Sequence, residues 1–152
     1  MAKLSAGLLL YRTRNDVLEM LLVHPGGPFW AKKDDGAWSI PKGEYVIGED
    51  PWAVALREFS EEIGLPAPLG TRIDLGAFKQ PSGKVVTVFA VYGDLDVTDA
   101  QSNTFEVEWP KGSGRLRTFP EVDRVEWFSA AAARTKLLKG QLPFVDRLLE
   151  QL

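Results

Sequence analysis

Three carboxylates, Glu58, Glu61 and Glu62, recur at i, i+3 and i+4 within the stretch Gly43 to Leu65, GEYVIGEDPWAVALREFSEEIGL. On a helix that spacing gathers them on one face. Like charges on neighbouring turns repel, and near a helix C-terminus they also oppose the macrodipole, so local stability does not select the arrangement. Something positive is expected against it. Oxygen ligands with no His or Cys nearby favour a hard cation, Mg²⁺ first, with Mn²⁺ or Ca²⁺ as substitutes. The ordinary alternative is a solvated acidic face, which spacing alone leaves open.

The element that must carry these groups has its own start and stop signals. Asp50 suits an N-cap and Pro51 the first helical position, while Gly64 followed by Pro66 supplies the end. At 3.6 residues per turn, Trp52, Leu56, Phe59 and Ile63 form an apolar stripe, and the carboxylates cluster roughly 140° away from it. The helix is expected to bury one face and present acid on the other.

Gly43, five residues, Glu49, seven residues and then Arg57-Glu58-Phe59-Ser60-Glu61-Glu62-Ile63-Gly64-Leu65 resembles, at every fixed position, the signature of the Nudix hydrolases, G-x5-E-x7-R-E-U-x-E-E-x-G-U with U a bulky apolar residue. The resemblance implies a loop-helix-loop metal site in an enzyme that hydrolyses a nucleoside diphosphate linked to another group X. It implies Glu58 and Glu62 as the main metal ligands and Glu61 as a further ligand or water-mediated contact. Arg57 and Glu49 would be a pair that braces the catalytic loop. The preceding Trp38-Ser39-Ile40-Pro41-Lys42-Gly43 resembles the W-x-x-P-K-G lead-in of Nudix enzymes acting on diadenosine polyphosphates. There the lysine lies near the phosphate chain, a role the likeness carries to Lys42. Many Nudix proteins also place an acidic residue shortly before a W-F strand, as an additional ligand or as the base for water. Glu121, ahead of Trp127-Phe128, matches that place best; Glu106 and Glu108 compete with it, and a salt-bridged surface glutamate is the alternative.

Length and composition bound the rest. With 152 residues, 45% of them hydrophobic, the chain suits one domain with a substantial core. No apolar run of about 18 residues is present to span a membrane, and MAKLSAGLLLYR lacks a signal peptide's long core, so a cytoplasmic protein with no membrane partner is expected. Zero Cys excludes disulfides and thiolate chemistry, and a single His makes a Ser-His-Asp triad improbable on composition. A net charge of −3 argues against coating duplex nucleic acid and leaves small nucleotides open. Nothing in the sequence sets an oligomeric state.

Ala2 to Tyr11 reads as a strand, Thr13 to Asp16 as a turn, and Val17 to Val23 as a central apolar strand. His24, at its end, reads as a structural imidazole before a catalytic one. Phe29 to Gly36 is a polar loop with Trp30, Lys32 and Lys33; either lysine could meet phosphate, although solvated loop lysines are commoner. Trp38 to Glu44 reads as a short strand ending in Pro-Lys-Gly. Thr71 to Lys79 and Lys84 to Tyr92 read as strands joined by a plain turn, the second apolar on both faces. Ser129 can cap a helix over Ala130 to Leu138 that ends at Gly140, and Pro143 can open a last one with Phe144, Val145, Leu148 and Leu149 on its apolar face. The elements predict an α/β/α sandwich around a mixed sheet, which is also what the Nudix resemblance implies.

Gln101 to Pro120 is the least ordinary segment. Trp109 with Arg115 and Arg117 around a Gly112-Ser113-Gly114 centre supplies an aromatic face for a base and guanidinium forks for phosphate. A hairpin with packed aromatics and a solvated tip fits the same residues. Together the readings predict water attack on a phosphoanhydride of a small-molecule nucleotide. Diadenosine polyphosphates lead and nucleoside triphosphates come second. The rival is a non-catalytic nucleotide sensor on the same fold.

Overall fold

The structure, a computed structural model, describes residues 3–152. Its centre is a six-stranded mixed sheet in the order β4 (Arg72–Lys79), β5 (Val85–Tyr92), β1 (Leu4–Arg14), β2 (Val17–Pro25), β8 (Val122–Ser129), with β3 (Lys42–Tyr45) also on β1. β1 runs parallel to β5 along Leu4–Tyr11, so both remaining partners share its other flank. β3 takes its first residues, Leu4 to Gly7, and β2 its last, Tyr11 to Arg14. Helix α1 (Pro51–Ile63) covers one face, and α2 (Ala130–Lys136) and α3 (Leu142–Gln151) the other.

Strand alternation divides the core into two layers. Leu8, Leu10, Leu21, Val23, Phe89 and Val91 pack under α1 with Val54, Ala55, Phe59 and Ile63. Leu9, Met20, Leu22, Val88 and Ala90 point the other way, against Phe144, Val145 and Leu148. Each large side chain so buried stabilises by about 1.5–3 kcal/mol before entropy is charged against it.

The expected sandwich is the fold observed, with local corrections. Ala2, expected in the first strand, lies outside the described residues. The first turn is only Asn15-Asp16, both at positive φ, so Thr13 and Arg14 remain in β1. β3 begins at Lys42 where the sequence suggested a strand ending at Glu44; before it, Ser39 and Trp38 make only isolated bridges to Val23 and Leu137. α2 stops at Lys136 because the Leu138 N–H donates to the Trp38 carbonyl at 2.8 Å, drawing the chain into a bridge. Gly140 falls in a 3-10 turn (Lys139–Gln141), and Leu149 of α3 is 40% exposed and outside the core. No helix among the described residues is long and apolar enough to cross a membrane.

Candidate active site

α1 forms as its punctuation dictates. The Asp50 carboxylate accepts from the Trp52 N–H at 3.4 Å, and Gly64 turns left-handed (φ 79°) to donate to the Ser60 carbonyl at 2.8 Å. The neighbouring carbonyls at this end would be orphaned. Residues 101–103 satisfy them: Gln101 N–H donates to Ile63 O at 2.8 Å and Asn103 N–H to Glu61 O at 2.9 Å. The same segment holds Glu121. Its N–H donates to Asn103 O at 2.8 Å, its carbonyl accepts from Gly26 N–H at 2.9 Å, and the Ser102 hydroxyl bonds the Val122 backbone. A residue nearly sixty positions downstream is thereby fixed to the acidic end of α1.

Glu58 and Glu62 do not lie on an open acidic face. Glu58 rests on the Cα of Gly43, where an added Cβ would overlap its carboxylate, and its side chain is 16% exposed. Glu62 lines a cavity of about 240 Å³ with Lys42, Glu121, Trp30, Val23 and Pro25. Burial pushes the Glu62 carboxyl up to about 8, with Glu58 and Glu121 adding repulsion and the Lys42 backbone amide and ammonium opposing it. Burial also raises the Glu58 carboxyl, assisted by Glu61 and Glu121. The Lys42 ammonium is lowered, first by burial and then by Lys84, against the pull of Glu62, Glu44 and Glu58. Burial outweighs attraction for both members of the Lys42–Glu62 pair, so at neutral pH the metal-free Glu62 keeps its proton and the lysine alone does not draw it off.

Among the described residues, no three His, Cys, Asp or Glu side chains stand close enough to hold a metal ion as they are placed. The donor set is nonetheless all oxygen, it shares one electrostatic field, and it carries more acid than base, which suits a hard divalent cation. Arg57 Nη1 meets Glu49 Oε2 at 3.3 Å, and Glu49 Oε1 accepts from Val46 N–H at 3.1 Å, so this pair ties the loop before α1 to the helix. Arg57 Nη2 also approaches Glu58 Oε1, at 3.7 Å.

Gln101 to Pro120 forms the hairpin of β6 (Thr104–Glu108) and β7 (Leu116–Pro120). Phe105 pairs with Phe119 and Val107 with Arg117, putting these four on one face; Trp109 and Arg115, joined by an N–H to O bond of 3.0 Å, continue the alternation. That face meets the loop after β2, with Phe105 over Gly27 and Trp109 edge-on to Phe29 at 5.4 Å. Glu106 and Glu108 occupy the opposite face, and Glu108 closes the turn by accepting from Gly112 N–H. Only Glu121 of the three competing acids lines the cavity. Lys32 is exposed in the loop, and Lys33 sits 5.0 Å over the Trp30 ring.

His24 is fully buried, with Nδ1 2.7 Å from Asp123 and Nε2 2.6 Å from the Lys33 carbonyl. It holds the loop down as a structural imidazole. A larger concavity of about 800 Å³ lies at the far end of β1 and β5 and contains no residue of the acidic stretch; its Arg12 is engaged with Glu19 at 2.8 Å and Asp94 at 2.6 Å. Trp30, in sequence only a loop residue, is a wall of the cavity that holds Glu62, while its neighbour Phe29 is exposed and packs on Trp109.

A sequence model of the NUDIX domain family matches residues 1–148. The bis(5'-nucleosyl)-tetraphosphatase [asymmetrical] of Caenorhabditis elegans is 36% identical over 61 residues, 40% of this chain and 40% of that protein. The NUDIX domain of Shewanella oneidensis NrtR, solved with ADP ribose, superposes with a TM-score of 0.67 at 17% identity, covering 99% of this chain and 88% of that one. The C. elegans Ap4A hydrolase, solved as a binary complex, gives 0.64 at 19% identity over 97% and 96%. At such identities the two structures speak to the fold, which agrees with the sheet order and helix layers described above. The family's sequence pattern, matched across nearly the whole length, and its architecture meet in one molecule: this chain belongs to the NUDIX domain family.

Proposed function

We propose that the protein is a metal-dependent hydrolase that cleaves a phosphoanhydride bond in a nucleoside diphosphate linked to a group X. The observation that carries this reading is the convergence of Glu62, Glu121 and Lys42 on one cavity, with Glu58 adding its charge beside Glu62, a carboxyl that gives up its proton readily only to a cation. An acid held against both burial and like charge is a cost that a ligand must repay.

Glu58 and Glu62 would hold the cation, Mg²⁺ or Mn²⁺, with Glu61 as a further ligand. When bound, such an ion stabilises negative charge on the phosphoanhydride oxygens and lowers the pKa of the attacking water. Glu121, fixed by its backbone bonds to Asn103 and Gly26, takes the proton of that water as its oxygen bonds to phosphorus. The bridging P–O bond breaks, and its electron pair leaves on the second phosphate. Lys42 screens the phosphate charge, and Lys32, Arg115 and Arg117 extend the cationic lining outward with Trp109. Arg57 and Glu49 keep the loop in register with α1. The products are a nucleoside phosphate and a second phosphate-containing piece.

Diadenosine polyphosphates lead as substrates, supported by the Trp38–Gly43 lead-in and by the C. elegans relative; nucleoside triphosphates come second. The test is a panel of nucleotides incubated with Mg²⁺ or Mn²⁺, with phosphate release read through a coupled phosphatase. Turnover that a chelator abolishes supports the proposal. Tight nucleotide binding without turnover of any compound would overturn it in favour of a sensor.

A further inference from the structure

The Trp38–Gly43 run reaches Glu58 and Glu62 with little strand pairing of its own. Ser39 meets Val23 in an isolated bridge of two 2.9 Å backbone bonds, Pro41 has no N–H to give, and β3 begins only at Lys42. Between them the Ile40 N–H is buried with no strand to receive it, and an unpaired donor there would be costly. Its partner comes from 101 residues downstream, where the Gln141 side chain accepts it at 2.8 Å.

Gln141 is 1% exposed, and both ends of its amide are used. Oε1 takes the Ile40 N–H, Nε2 donates to Ser39 Oγ at 3.0 Å, and that hydroxyl donates to the Ile40 carbonyl at 2.7 Å. The segment carrying Gln141 is itself held: Gln80 Nε2 donates to the Gly140 carbonyl at 2.9 Å, and the Leu138 N–H to Trp38 O at 2.8 Å. On the far side of Ile40, Pro41 has its φ fixed by its ring, and its carbonyl accepts from the Leu8 N–H at 3.1 Å. The next two residues present the Lys42 amide to the Glu62 carboxylate and the bare Cα of Gly43 to Glu58. A shift at Ile40 therefore passes to both acids with little slack to absorb it.

From this series of bonds we infer that Gln141 is a positioning residue for the acid pair: it sets where the run passes α1, and so where Lys42 and Gly43 meet Glu62 and Glu58. The inference rests on reading Glu58 and Glu62 as ligands of a divalent cation. Gln141 itself touches neither the cation nor the nucleotide. A glutamine suits the position because one uncharged group both accepts and donates. An apolar side chain of the same length would strand the Ile40 N–H, and the run would move to find another acceptor. Groups that orient the ligands of a metal from behind carry a large share of its affinity.

The experiment titrates the whole chain with Mn²⁺, followed by the EPR signal of the free ion, and records the Lys42 amide proton by NMR without metal. Gln141→Met keeps the volume and loses the amide; it is expected to weaken Mn²⁺ binding about tenfold or more and to move the Lys42 resonance. Gln141→Glu keeps an oxygen for the Ile40 N–H and lets the Ser39 hydroxyl donate to the other, so both readouts should return near wild type. Val145→Ala trims the buried core of α3 away from the run and should lower the melting temperature while leaving both readouts unchanged. Wild-type Mn²⁺ affinity in Gln141→Met would overturn the inference, as would an equal loss in Gln141→Glu or in Val145→Ala. Should Gln141→Met fail to fold, Ser39→Ala decides: a smaller loss in the same direction supports the inference, and wild-type values overturn it. A wild type without Mn²⁺ affinity, in which Gln141→Met still moves the Lys42 resonance, would keep the positioning and remove the metal site. Mn²⁺ bound equally by wild type and Gln141→Met would do the reverse.

Discussion

The carboxylate of Glu58 rests directly on the α-carbon of Gly43, fifteen positions earlier, with no space for a side chain between them. Gly43 lies in β3 opposite Ala6, in extended backbone that alanine also adopts, so its absent Cβ is what matters there. Gly43→Ala is expected to swing Glu58 aside and lower metal-dependent turnover about a hundredfold, the usual cost of an ångström of misplacement at a reacting centre. Circular dichroism should show the fold intact. Wild-type turnover in this variant would mean that the position of Glu58 is not critical.

Glu62→Gln keeps the side-chain volume and removes the carboxylate that a bound cation would draw out next to Glu58 and Glu121. Turnover is expected to fall at least about a hundredfold. Without metal, the variant should melt no lower than the wild type at neutral pH, because burial keeps Glu62 mostly protonated there, as uncharged as the amide that replaces it. A lower melting temperature together with normal activity would contradict the assignment of Glu62 as a ligand.

The three acids of the hairpin region separate cleanly in space. Glu121→Gln is expected to lower turnover by about two to four orders of magnitude, as loss of a general base does. Glu106→Gln and Glu108→Gln, on the far face of the hairpin, should stay within about twofold of wild type at constant metal and substrate, judged against typical base-catalysis effects. Equal effects from all three would show that the hairpin, and not one carboxylate, is what activity needs.

Asp94 supplies a pH dependence away from the site. Its hydrogen bond from Arg12 at 2.6 Å holds its carboxyl below the usual range. A carboxyl lowered in the folded state stabilises above its unfolded pKa of about 3.9, and that stability is lost as pH falls through the lower folded value. Because its side chain is 75% exposed, solvent screening limits the effect to under about 1 kcal/mol. Melting temperatures from pH 6 down to pH 2 should fall more steeply for wild type than for Asp94→Asn; parallel curves would refute the linkage.

Local signals in the sequence locate α1 to the residue, since Asp50, Pro51 and Gly64 act through their own backbones, and Val85 to Tyr92, apolar on both faces, announces a sheet covered by helices on both sides. Where the reading slipped, a distant partner decided. α2 ends early because Trp38 captures Leu138, and β3 starts late because Gly7 and Ala6 pair only from Lys42 onward. The acidic trio looked like an exposed face because helix periodicity records where the core is, not what covers the other side. Gly43 underlies Glu58 and Lys42 shares a cavity with Glu62, while backbone bonds from residues 101–103 to the helix end bring in Glu121 from nearly sixty residues downstream. Phe29 and Trp30 escaped for a related reason: aromatic residues in a loop carry no period to say whether they pack, line a cavity or face water.

A divalent cation is expected to bind where α1 meets Glu121. Crystals soaked in Mn²⁺ and measured at a wavelength where manganese scatters anomalously test it most directly. An anomalous peak is expected among Glu58, Glu62 and Glu121, and it should disappear in Glu62→Gln crystals. Well-ordered crystals at high manganese with no peak there, and those side chains turned out to solvent, would contradict it.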